Sequence, residues 1–374
     1  MHIVVNGWFW GQMNTGSGQY LHHLVQRLPE VDSQQQYTLV LPQAGGAPPA
    51  GWQVAVAPPA ARPLGANPAK VWFEQISFPL ACRRLHADVA FTPYWGSPWL
   101  HPCPAVVTVH DLIPLLLPAY RGGVAQRAYT AVVSQTARRA DRVLTDSQAS
   151  RQDIIQHLGV ASSRVQAVLL AADERFQPVT DPVRLAHVQE RYKLPEWFIL
   201  YLGGFDVRKN VAGLVRAYAR MPGLPSFGKD GNPGIRLVIA GKLPAMDTAF
   251  APDPRRIAAE AGVADRVHFT GWVDEADKPA LVSLASLFVF PSLYEGFGLP
   301  AAEAAACGAP VLTSNRSSLP EAAPGATLID PEDEGALALA MAEALAAPRP
   351  TVSALRRTWL DVARETLAHL KELS

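Results

Sequence analysis

Short apolar runs rich in β-branched residues recur along the chain, and helix-like stretches separate most of them. In the first half these runs are IVV at 3–5, YTLVL at 37–41, DVAF at 88–91, AVVTV at 105–109, RVLT at 142–145 and RVQAVLL at 164–170. After residue 197 the pattern begins again, with WFILYL, RLVIAG, RVHFTG, LFVFPS and APVLTS. Buried strands that alternate with helices predict doubly wound parallel sheets, so we expect an α/β protein with two such sheets.

The segment RFQPVTDPVRLAHVQERYKLPEW carries three prolines and little apolar pattern, which places the predicted linker near residues 177–195. We therefore expect a first domain at 1–180 and a second at 190–354. Helical spacing of apolar positions, including Leu355, Trp359 and Leu370, predicts a closing helix over 355–374 that packs back toward the first domain. Two tracts rich in Pro, Gly and Ala, at 43–68 and 221–234, are expected to be surface loops.

The composition excludes several classes of protein. A chain of 374 residues suits two domains, and 33 basic against 33 acidic residues give no electrostatic case for binding nucleic acid. Three widely spaced cysteines argue against a disulfide framework or a structural zinc site and favour a reducing compartment. The first residues resemble a strand rather than a signal peptide, and no apolar window is long enough to span a bilayer. We expect a cytoplasmic protein.

Peripheral contact with the inner face of the plasma membrane remains open. Between Leu112 and Ala140 the chain has no acid but four arginines, Arg121, Arg127, Arg138 and Arg139. These could steer a lipid-linked diphosphate at the membrane surface, or they could form a solvated helix face.

In open α/β sheets, ligands bind beyond the carboxyl ends of the strands. WFILYL is followed by GGFDVRKN and then by a helical pattern from Val211, for which Asn210 is the predicted N-cap. Arg208 and Lys209 stand just before the helix, and together with its backbone N–H groups they suit a diphosphate. The alternative is two solvated loop cations.

The stretch YEGFGLPAAEAAACGAP at 294–310 follows strand LFVFPS. Pro300 suits the first turn of a helix, so Glu295 belongs to the preceding turn and Glu303 to the early helix. Each carboxylate can accept two hydroxyl donors, as the diols of a sugar or ribose require, and Gly296 and Gly298 allow close approach of a ligand. The alternative is that Glu295 is exposed and Glu303 only favours the positive helix end.

His110 and Asp111 follow the predicted strand AVVTV. An imidazole and a carboxylate therefore lie at the carboxyl end of a strand, which is a position for catalytic residues. The alternative is a core histidine whose hydrogen bonds are satisfied. The turn TGSGQY contains Gly16 and Gly18, but Leu21 stands where a dinucleotide fingerprint needs its third glycine, which disfavours a nicotinamide dehydrogenase.

A third strand, RVHFTG, ends at Gly271 and Trp272, whose backbone could hydrogen-bond a nucleobase, although Trp272 could equally be a packing residue. The acidic stretch DPEDEGA at 330–336 is interpreted as a solvated helix start rather than a metal site.

Seven motifs, taken in order, resemble the retaining glycosyltransferases of family 4. They are TGSGQY at 15–20, TVHDLIPL at 108–115, ADRVLTDSQASRQDI at 140–154, YLGGFDVRKN at 201–210, LVIAGK at 237–242, FTGWV at 269–273 and PSLYEGFGLPAAEAAACGAPV at 291–311. The resemblance spans nearly the whole chain and implies the GT-B fold, two facing Rossmann-like domains with a cleft between them.

The resemblance also implies roles for single residues. Arg208 and Lys209 would bind the donor diphosphate, and Glu303 would hold the ribose hydroxyls. Glu295 would grip the donor sugar with the amides of the next three residues, and His110 would lie across the cleft beside the reacting carbon. Two glycines of the first domain would approach the phosphates. The donor-binding positions implied in this way are Gly16, Gly18, Gly203, Gly271, Trp272, Val273, Gly296, Phe297, Gly298, Leu299 and Glu303.

The pattern is most similar to that of bacterial mannosyltransferases that build O-antigen or other polysaccharides from GDP-mannose. The implied reaction is metal-independent transfer with retention, in which the leaving diphosphate takes the proton of a saccharide or lipid-linked acceptor. Gly204 departs from the family pattern, since many members have arginine there. A UDP-sugar donor, a nucleotide-sugar epimerase and a nonenzymatic nucleotide-sugar-binding protein remain alternatives.

Overall fold

The structure, a computed structural model, describes residues 1–45, 49–60, 65–222, 234–349 and 356–373. The chain forms two compact units, Met1–Leu170 with Arg357–Ser374, and Ala171–Arg356. Each unit contains one parallel sheet and the helices that connect its strands, so the predicted pair of α/β sheets is confirmed.

The first sheet has seven parallel strands in the order β3-β2-β1-β4-β5-β6-β7. They are β1 (His2–Asn6), β2 (Gln36–Leu41), β3 (Trp52–Val56), β4 (Val89–Thr92), β5 (Ala105–Thr108), β6 (Arg142–Thr145) and β7 (Val165–Ala167). The strand order reverses between β1 and β4. The central residues of β1, β2, β4, β5 and β6 are almost fully buried, which accounts for the continuous apolar runs in the sequence.

Seven α-helices are described in the first unit, and the last of them comes after the whole second unit in the sequence. They are α1 (Gly16–Val31), α2 (Ala66–Trp72), α3 (Phe78–Arg84), α4 (Ile113–Leu116), α5 (Val124–Arg139), α6 (Gln148–Asp153) and α14 (Trp359–Lys371). A π-helical turn, Phe73–Ser77, joins α2 to α3. Helix α14 begins with a capping box of Thr358 and Asp361 and packs against α1, where the rings of Trp359 and His23 stack.

The second sheet has six parallel strands in the order β10-β9-β8-β11-β12-β13. They are β8 (Phe198–Leu202), β9 (Arg236–Ala240), β10 (Val267–Gly271), β11 (Leu287–Phe290), β12 (Val311–Ser314) and β13 (Thr327–Ile329). The order reverses between β8 and β11, and a continuous apolar core surrounds these two strands.

Helices connect these strands as they do in the first unit. They are α7 (Pro182–Arg191), α8 (Val211–Ala219), α9 (Pro254–Glu260), α10 (Lys278–Leu284), α11 (Leu299–Ala306), α12 (Leu319–Ala322) and α13 (Glu334–Ala346). The side chain of Asp333 caps α13 by accepting from the N–H of Ala336, so the acidic stretch at 330–336 is a helix start, as predicted. In the described part of the chain, no helix has the length and apolarity needed to cross a bilayer.

The structure corrects two expectations. The tract at 43–68 is not only a loop, because it contains β3, an edge strand whose side chains are mostly exposed. The linker expected near 177–195 contains helix α7, which belongs to the second unit and packs on α10. Pro182 stands at the start of α7, where proline is tolerated. Residues 46–48, 61–64 and 223–233 and Leu355 lie outside the described parts of these stretches.

Candidate active site

Two turns meet at the point where the strand order of the second sheet reverses. One follows β8 and carries Arg208 and Lys209, and the other follows the neighbouring strand β11 and carries Glu295. The N–H of Leu293 donates to the carbonyl oxygen of Arg208 at 2.8 Å, which joins the two turns. This is the position at which doubly wound sheets bind their ligands.

The charged side chains of the two turns form a compact cluster. Lys209 Nζ lies 2.7 Å from Glu295 Oε1, and Arg208 Nη1 lies 2.5 Å from Glu295 Oε2. Arg208 Nη1 also donates to the carbonyl oxygen of Tyr294 at 2.8 Å. All three charged side chains are largely buried, at 10–13% exposed, so the alternative of solvated cations and an exposed glutamate is wrong.

Glu295 is held in its ionised form. Burial alone would raise the pKa of its carboxyl, but the charges of Lys209 and Arg208 outweigh burial and hold that pKa below its usual value. The ammonium of Lys209 also lies 4.9 Å from the ring centroid of Phe290. The cluster therefore holds two cations in fixed positions beside one carboxylate.

Backbone and packing shape the turn that carries Glu295. Ser318, which is fully buried, donates to the carbonyl oxygens of Glu295 and Phe297, at 3.0 and 2.7 Å. Gly298 has a φ of +103°, and a Cβ atom there would lie 2.6 Å from the side chain of Leu319. A glycine is therefore required before α11 for structural reasons as well as for any approach to a ligand.

Glu303 lies in the first turns of α11, as predicted. Burial raises the pKa of its carboxyl to about 8, although the nearby charges of Lys278 and Arg175 oppose that rise. The carboxyl makes no hydrogen bond with the part of the chain that the structure describes. A carboxyl of this kind can accept hydroxyl donors from a ligand.

The predicted residues on β8 and β10 lie at the same edge of the sheet. Gly203 follows β8, and its N–H donates to the carbonyl oxygen of Ala240 at 3.1 Å. The side chain of Val273 is buried in the core, so only its backbone can face a ligand. Trp272 is 62% exposed, which overturns the alternative of a packing residue.

One sequence prediction in this region is wrong. Asn210 precedes α8 but does not cap it with its side chain, because the residue adopts a left-handed conformation, with φ at 54°. Its side-chain amide donates instead to the carbonyl oxygen of Pro331 at 2.6 Å. Asn210 therefore ties the Arg208–Lys209 turn to the loop after β13.

In the first unit, His110 follows β5 and pairs with a residue that was not singled out from the sequence. Parallel pairing of Thr108 with Leu144 brings the ends of β5 and β6 level, so that His110 faces Asp146. The distance from His110 Nδ1 to Asp146 Oδ2 is 2.8 Å. Burial opposes the protonated imidazole, but the charge of Asp146 outweighs it and raises the pKa of His110.

The second nitrogen of His110 is buried. His110 Nε2 has no hydrogen-bond partner within the described residues, although the backbone of Pro93 lies close enough to help raise the pKa of the imidazole. The ring of Tyr20 meets the imidazole edge-on, 4.9 Å between centroids. Asp111 has a separate task, since it accepts from the N–H of Ile113 at 2.9 Å at the start of α4.

The two glycines before α1 differ in their surroundings. A Cβ atom at Gly18 would lie 2.0 Å from the carbonyl oxygen of Gln12, whereas one at Gly16 would meet nothing within 4 Å. Thr15 caps the helix by accepting from the N–H of Gly18 at 3.1 Å. Gly18 is thus required by packing, and packing alone does not require Gly16.

A cavity of about 570 Å³ adjoins the loop after β1. The lining residues that the structure describes carry no ionisable side chain and include two indoles and two amides, from Trp8, Trp10, Gln12 and Gln43. The Trp10 ring stacks on His22, with 3.8 Å between centroids. Sequence reasoning missed this site, although WFW at 8–10 is a run of three consecutive aromatic residues. No group of three acidic, histidine or cysteine residues in the described ranges could hold a metal ion.

Comparisons with known proteins cover both units. The family model described as Glycosyltransferase Family 4 matches residues 14–174, and the one described as Glycosyl transferases group 1 matches residues 184–364. An O-antigen chain mannosyltransferase B of Escherichia coli is 30% identical over 279 residues, which are 72% of this chain and 70% of that protein.

Two further matches concern a longer relative and the fold. The serotype-specific mannosyltransferase WbdA of Escherichia coli is 34% identical over 238 residues, or 61% of this chain, but the match spans only 27% of WbdA. The Anabaena protein HepE, solved in complex with UDP and glucose, superposes with a TM-score of 0.70 at 17% identity and full coverage of both chains. The predicted fold class, GT-B with two doubly wound domains, is confirmed.

Proposed function

Since the chain belongs to the family 4 glycosyltransferases, we propose that it is a retaining hexosyltransferase that uses a nucleotide-diphospho-sugar donor. The observation that carries this proposal is the cluster of Arg208, Lys209 and Glu295 at the reversal point of the second sheet. Two buried cations beside a carboxylate suit a diphosphate that leaves a sugar.

The donor sugar is mannose and the nucleotide is GDP. The sugar is supported by the relatives, since both Escherichia coli proteins carry the name mannosyltransferase, and the nucleotide follows from the resemblance to transferases that use GDP-mannose. A UDP-sugar is the alternative donor, because HepE was solved with UDP and glucose. The site itself favours neither base, since Trp272 and the backbone of Gly271 could face a purine or a pyrimidine.

Each residue of the site then has one task. Arg208 and Lys209 bind the diphosphate, Glu295 and the amides of residues 296–298 hold the sugar, and Glu303 accepts the ribose hydroxyls. In the reaction the bond from the anomeric carbon to the phosphate oxygen breaks, and a bond to the acceptor oxygen forms on the same face. The acceptor proton moves to the departing phosphate, so the protein's contribution is electrostatic.

His110 contributes from the first unit. Asp146 holds Nδ1 and raises the pKa of the imidazole, so Nε2 can donate a hydrogen bond to a sugar hydroxyl. The cavity beside Trp8 and Trp10 suits a saccharide acceptor, since indole rings stack on sugars and amide side chains bind hydroxyls. The saccharide part of a lipid-linked acceptor fits the same cavity. No metal is required, because the two cations carry the developing charge.

A donor screen tests the proposal. We expect GDP-mannose to raise the melting temperature and to be turned over in the presence of a mannose-containing oligosaccharide, also with EDTA present. Failure of GDP-mannose and of every UDP-sugar to stabilise the protein at millimolar concentration would contradict the transferase assignment. Stabilisation by a UDP-sugar alone would change the donor. Release of an epimerised nucleotide sugar without any acceptor would favour the epimerase alternative.

A further inference from the structure

Tyr20 is a buried residue of the first unit to which the proposed reaction gives no task. It stands near the start of α1 and is only 3% exposed. Burial raises the pKa of its hydroxyl well above the usual value, and the charge of Asp146 raises it further. Tyr20 is therefore an uncharged aromatic side chain beside the pair of His110 and Asp146, and it acts there by shape and position rather than by charge.

Two contacts of Tyr20 reach the segment that carries His110. The rings of Tyr20 and His110 stand at 82° to one another, with 4.9 Å between their centroids. The hydroxyl oxygen of Tyr20 lies 3.4 Å from Thr108 Oγ1, and Thr108 is the fully buried last residue of β5. Thr108 precedes His110 by two residues. Tyr20 therefore contacts both the end of the strand and the imidazole that follows it.

The imidazole of His110 needs more than one contact to hold its plane. The torsion about the Cβ–Cγ bond of a histidine has a broad minimum, so the neighbours of the ring decide its orientation. The hydrogen bond of 2.8 Å between His110 Nδ1 and Asp146 fixes one atom of the ring. A second ring that packs perpendicular to the first, a favoured arrangement of aromatic pairs, restricts rotation about that bond. Asp146 and Tyr20 together therefore fix both the position and the plane of the imidazole.

Helix α14 supports Tyr20 in turn. The ring of Trp359, the first residue of α14, lies 6.1 Å from the Tyr20 ring at an angle of 64°, within the range of aromatic pairs. Trp359 is itself 3% exposed and stacks on His23 of α1, with 4.2 Å between centroids. His23 stands three residues beyond Tyr20, on the same side of α1. The last helix of the chain therefore packs on the residue that contacts His110.

We propose that Tyr20 is a positioning residue for His110, which holds the imidazole in the orientation that the transfer reaction requires. The inference rests on the proposed function and assigns one more residue to it. Groups that contact a transition state must be held closely, since a misplacement of ~1 Å can cost on the order of 10²-fold in rate. The competing explanation is that Tyr20 only fills space between α1 and α14. Its replacement would then cost stability without depending on His110.

A double-mutant cycle of Tyr20→Leu with His110→Ala separates the two explanations. We expect Tyr20→Leu to lower kcat about tenfold and to leave the donor KM near the parent's, because the imidazole acts in the transition state. In the His110→Ala background the same change should lower kcat no further. Tyr20→Phe keeps the ring and should restore most of the rate. If Tyr20→Leu does not fold, Tyr20→Met, whose flexible side chain fills irregular gaps, takes its place in the cycle.

Tyr37→Leu is the matched control. Tyr37 is also buried in the first unit, and its hydroxyl donates to the carbonyl oxygen of Leu28 at 3.2 Å. It stands near the start of β2, whereas His110 follows the carboxyl end of β5. The control should therefore lose stability as Tyr20→Leu does but keep the parent's kcat.

Thermal unfolding without substrate tests the contact apart from the reaction. The losses in melting temperature of Tyr20→Leu and His110→Ala should sum to more than the loss of the double variant, whereas those of Tyr37→Leu and His110→Ala should add. Additive losses for Tyr20 and His110, or an equal fall in kcat with and without His110, would overturn the proposal. Absence of turnover with any nucleotide sugar would instead contradict the proposed function, and the unfolding cycle would still confirm or overturn the coupling of Tyr20 to His110.

Discussion

The two units place ionisable groups at the same kind of position but use them differently. In the second unit Arg208, Lys209 and Glu295 satisfy one another, and the pKa of Glu295 is held below its usual value. In the first unit Asp146 holds one nitrogen of His110 and raises its pKa, while the other nitrogen has no partner within the described residues. The cluster in the second unit keeps its charges over the ordinary pH range, whereas the charge of His110 in the first unit changes with its protonation.

The difference suggests how each site serves the proposed reaction. Charges that are already in place stabilise a leaving diphosphate without reorganisation, which is the larger catalytic effect. A single imidazole contributes one hydrogen bond whose strength depends on pH. Substitutions in the two sites should therefore differ in size and in pH dependence.

The largest effect is expected for Lys209→Ala. Removing one of the two cations should lower kcat by about 10²- to 10³-fold, because the charge that develops on the diphosphate loses a fixed partner. Folding should be retained, since Arg208 still neutralises Glu295. Initial rates with saturating donor measure the effect. Lys371→Ala, which removes an exposed lysine paired with Asp32, is the control and should keep the parent's rate. Near-parental turnover by Lys209→Ala would contradict the diphosphate assignment.

Asp146→Asn should separate the pH behaviour of the two sites. His110 has a raised pKa in the folded protein, so its pairing with Asp146 stabilises the fold fully below the ordinary pKa of 6.5 and loses that effect as pH rises through the folded value. The stability difference between parent and variant should therefore shrink from about pH 6.5 upward, as measured by thermal unfolding across that range. Turnover should fall about tenfold. A stability difference that does not vary with pH would show that the pair does not titrate as described.

Glu295→Gln should destabilise the second unit by about 2 kcal/mol, since it leaves two largely buried cations without a counter-charge. GDP, which lacks the sugar but brings a diphosphate, should restore part of the loss and raise the melting temperature of the variant more than that of the parent. Thermal shift with and without GDP measures both effects. An equal GDP shift in both proteins would argue that the nucleotide does not contact the cluster.

The smallest effect is expected for Glu303→Gln. Burial raises the pKa of Glu303 to about 8, so the folded protein holds a proton that the unfolded chain has lost, and stability falls as pH rises from about 4.5 to 8. Glutamine removes that dependence, and the variant should be more stable than the parent at pH 8. A gain of about 1 kcal/mol corresponds to about 3 °C. Donor affinity should increase toward pH 8 in the parent only, as titration calorimetry can show.

The buried central strands of both sheets could be predicted from the sequence, whereas two exposed edge strands could not. Central strands such as β8 and β11 are buried on both sides and read as continuous apolar runs. The edge strands β3 (WQVAV) and β13 (TLI) expose most of their side chains, and although both contain apolar residues, they are short and are flanked by residues typical of loops. Their pairing with β2 and β12 is a tertiary effect, which residue types alone do not reveal.

The candidate site shows the same limit. Residue types and positions at strand ends indicated Arg208, Lys209, Glu295 and His110 as site residues. One carboxylate binds both cations, and His110 pairs with Asp146 rather than with Asp111. Both pairings depend on the register between strands that are far apart in the chain. Asn210 has the residue type of an N-cap, but its left-handed backbone directs the side chain elsewhere. Roles that depend on pairing could be found only from the fold.

Helix α14 has a consequence for how the protein is made. It packs on α1, where Leu24 and Leu28 are buried, yet it is translated only after the whole of Ala171–Arg356. At ~5–20 residues per second, the ribosome needs on the order of ten seconds or more to synthesise that stretch. During that time α1 lacks its partner helix, so we expect the face of α1 that α14 covers to stay exposed until the end of the chain has been synthesised.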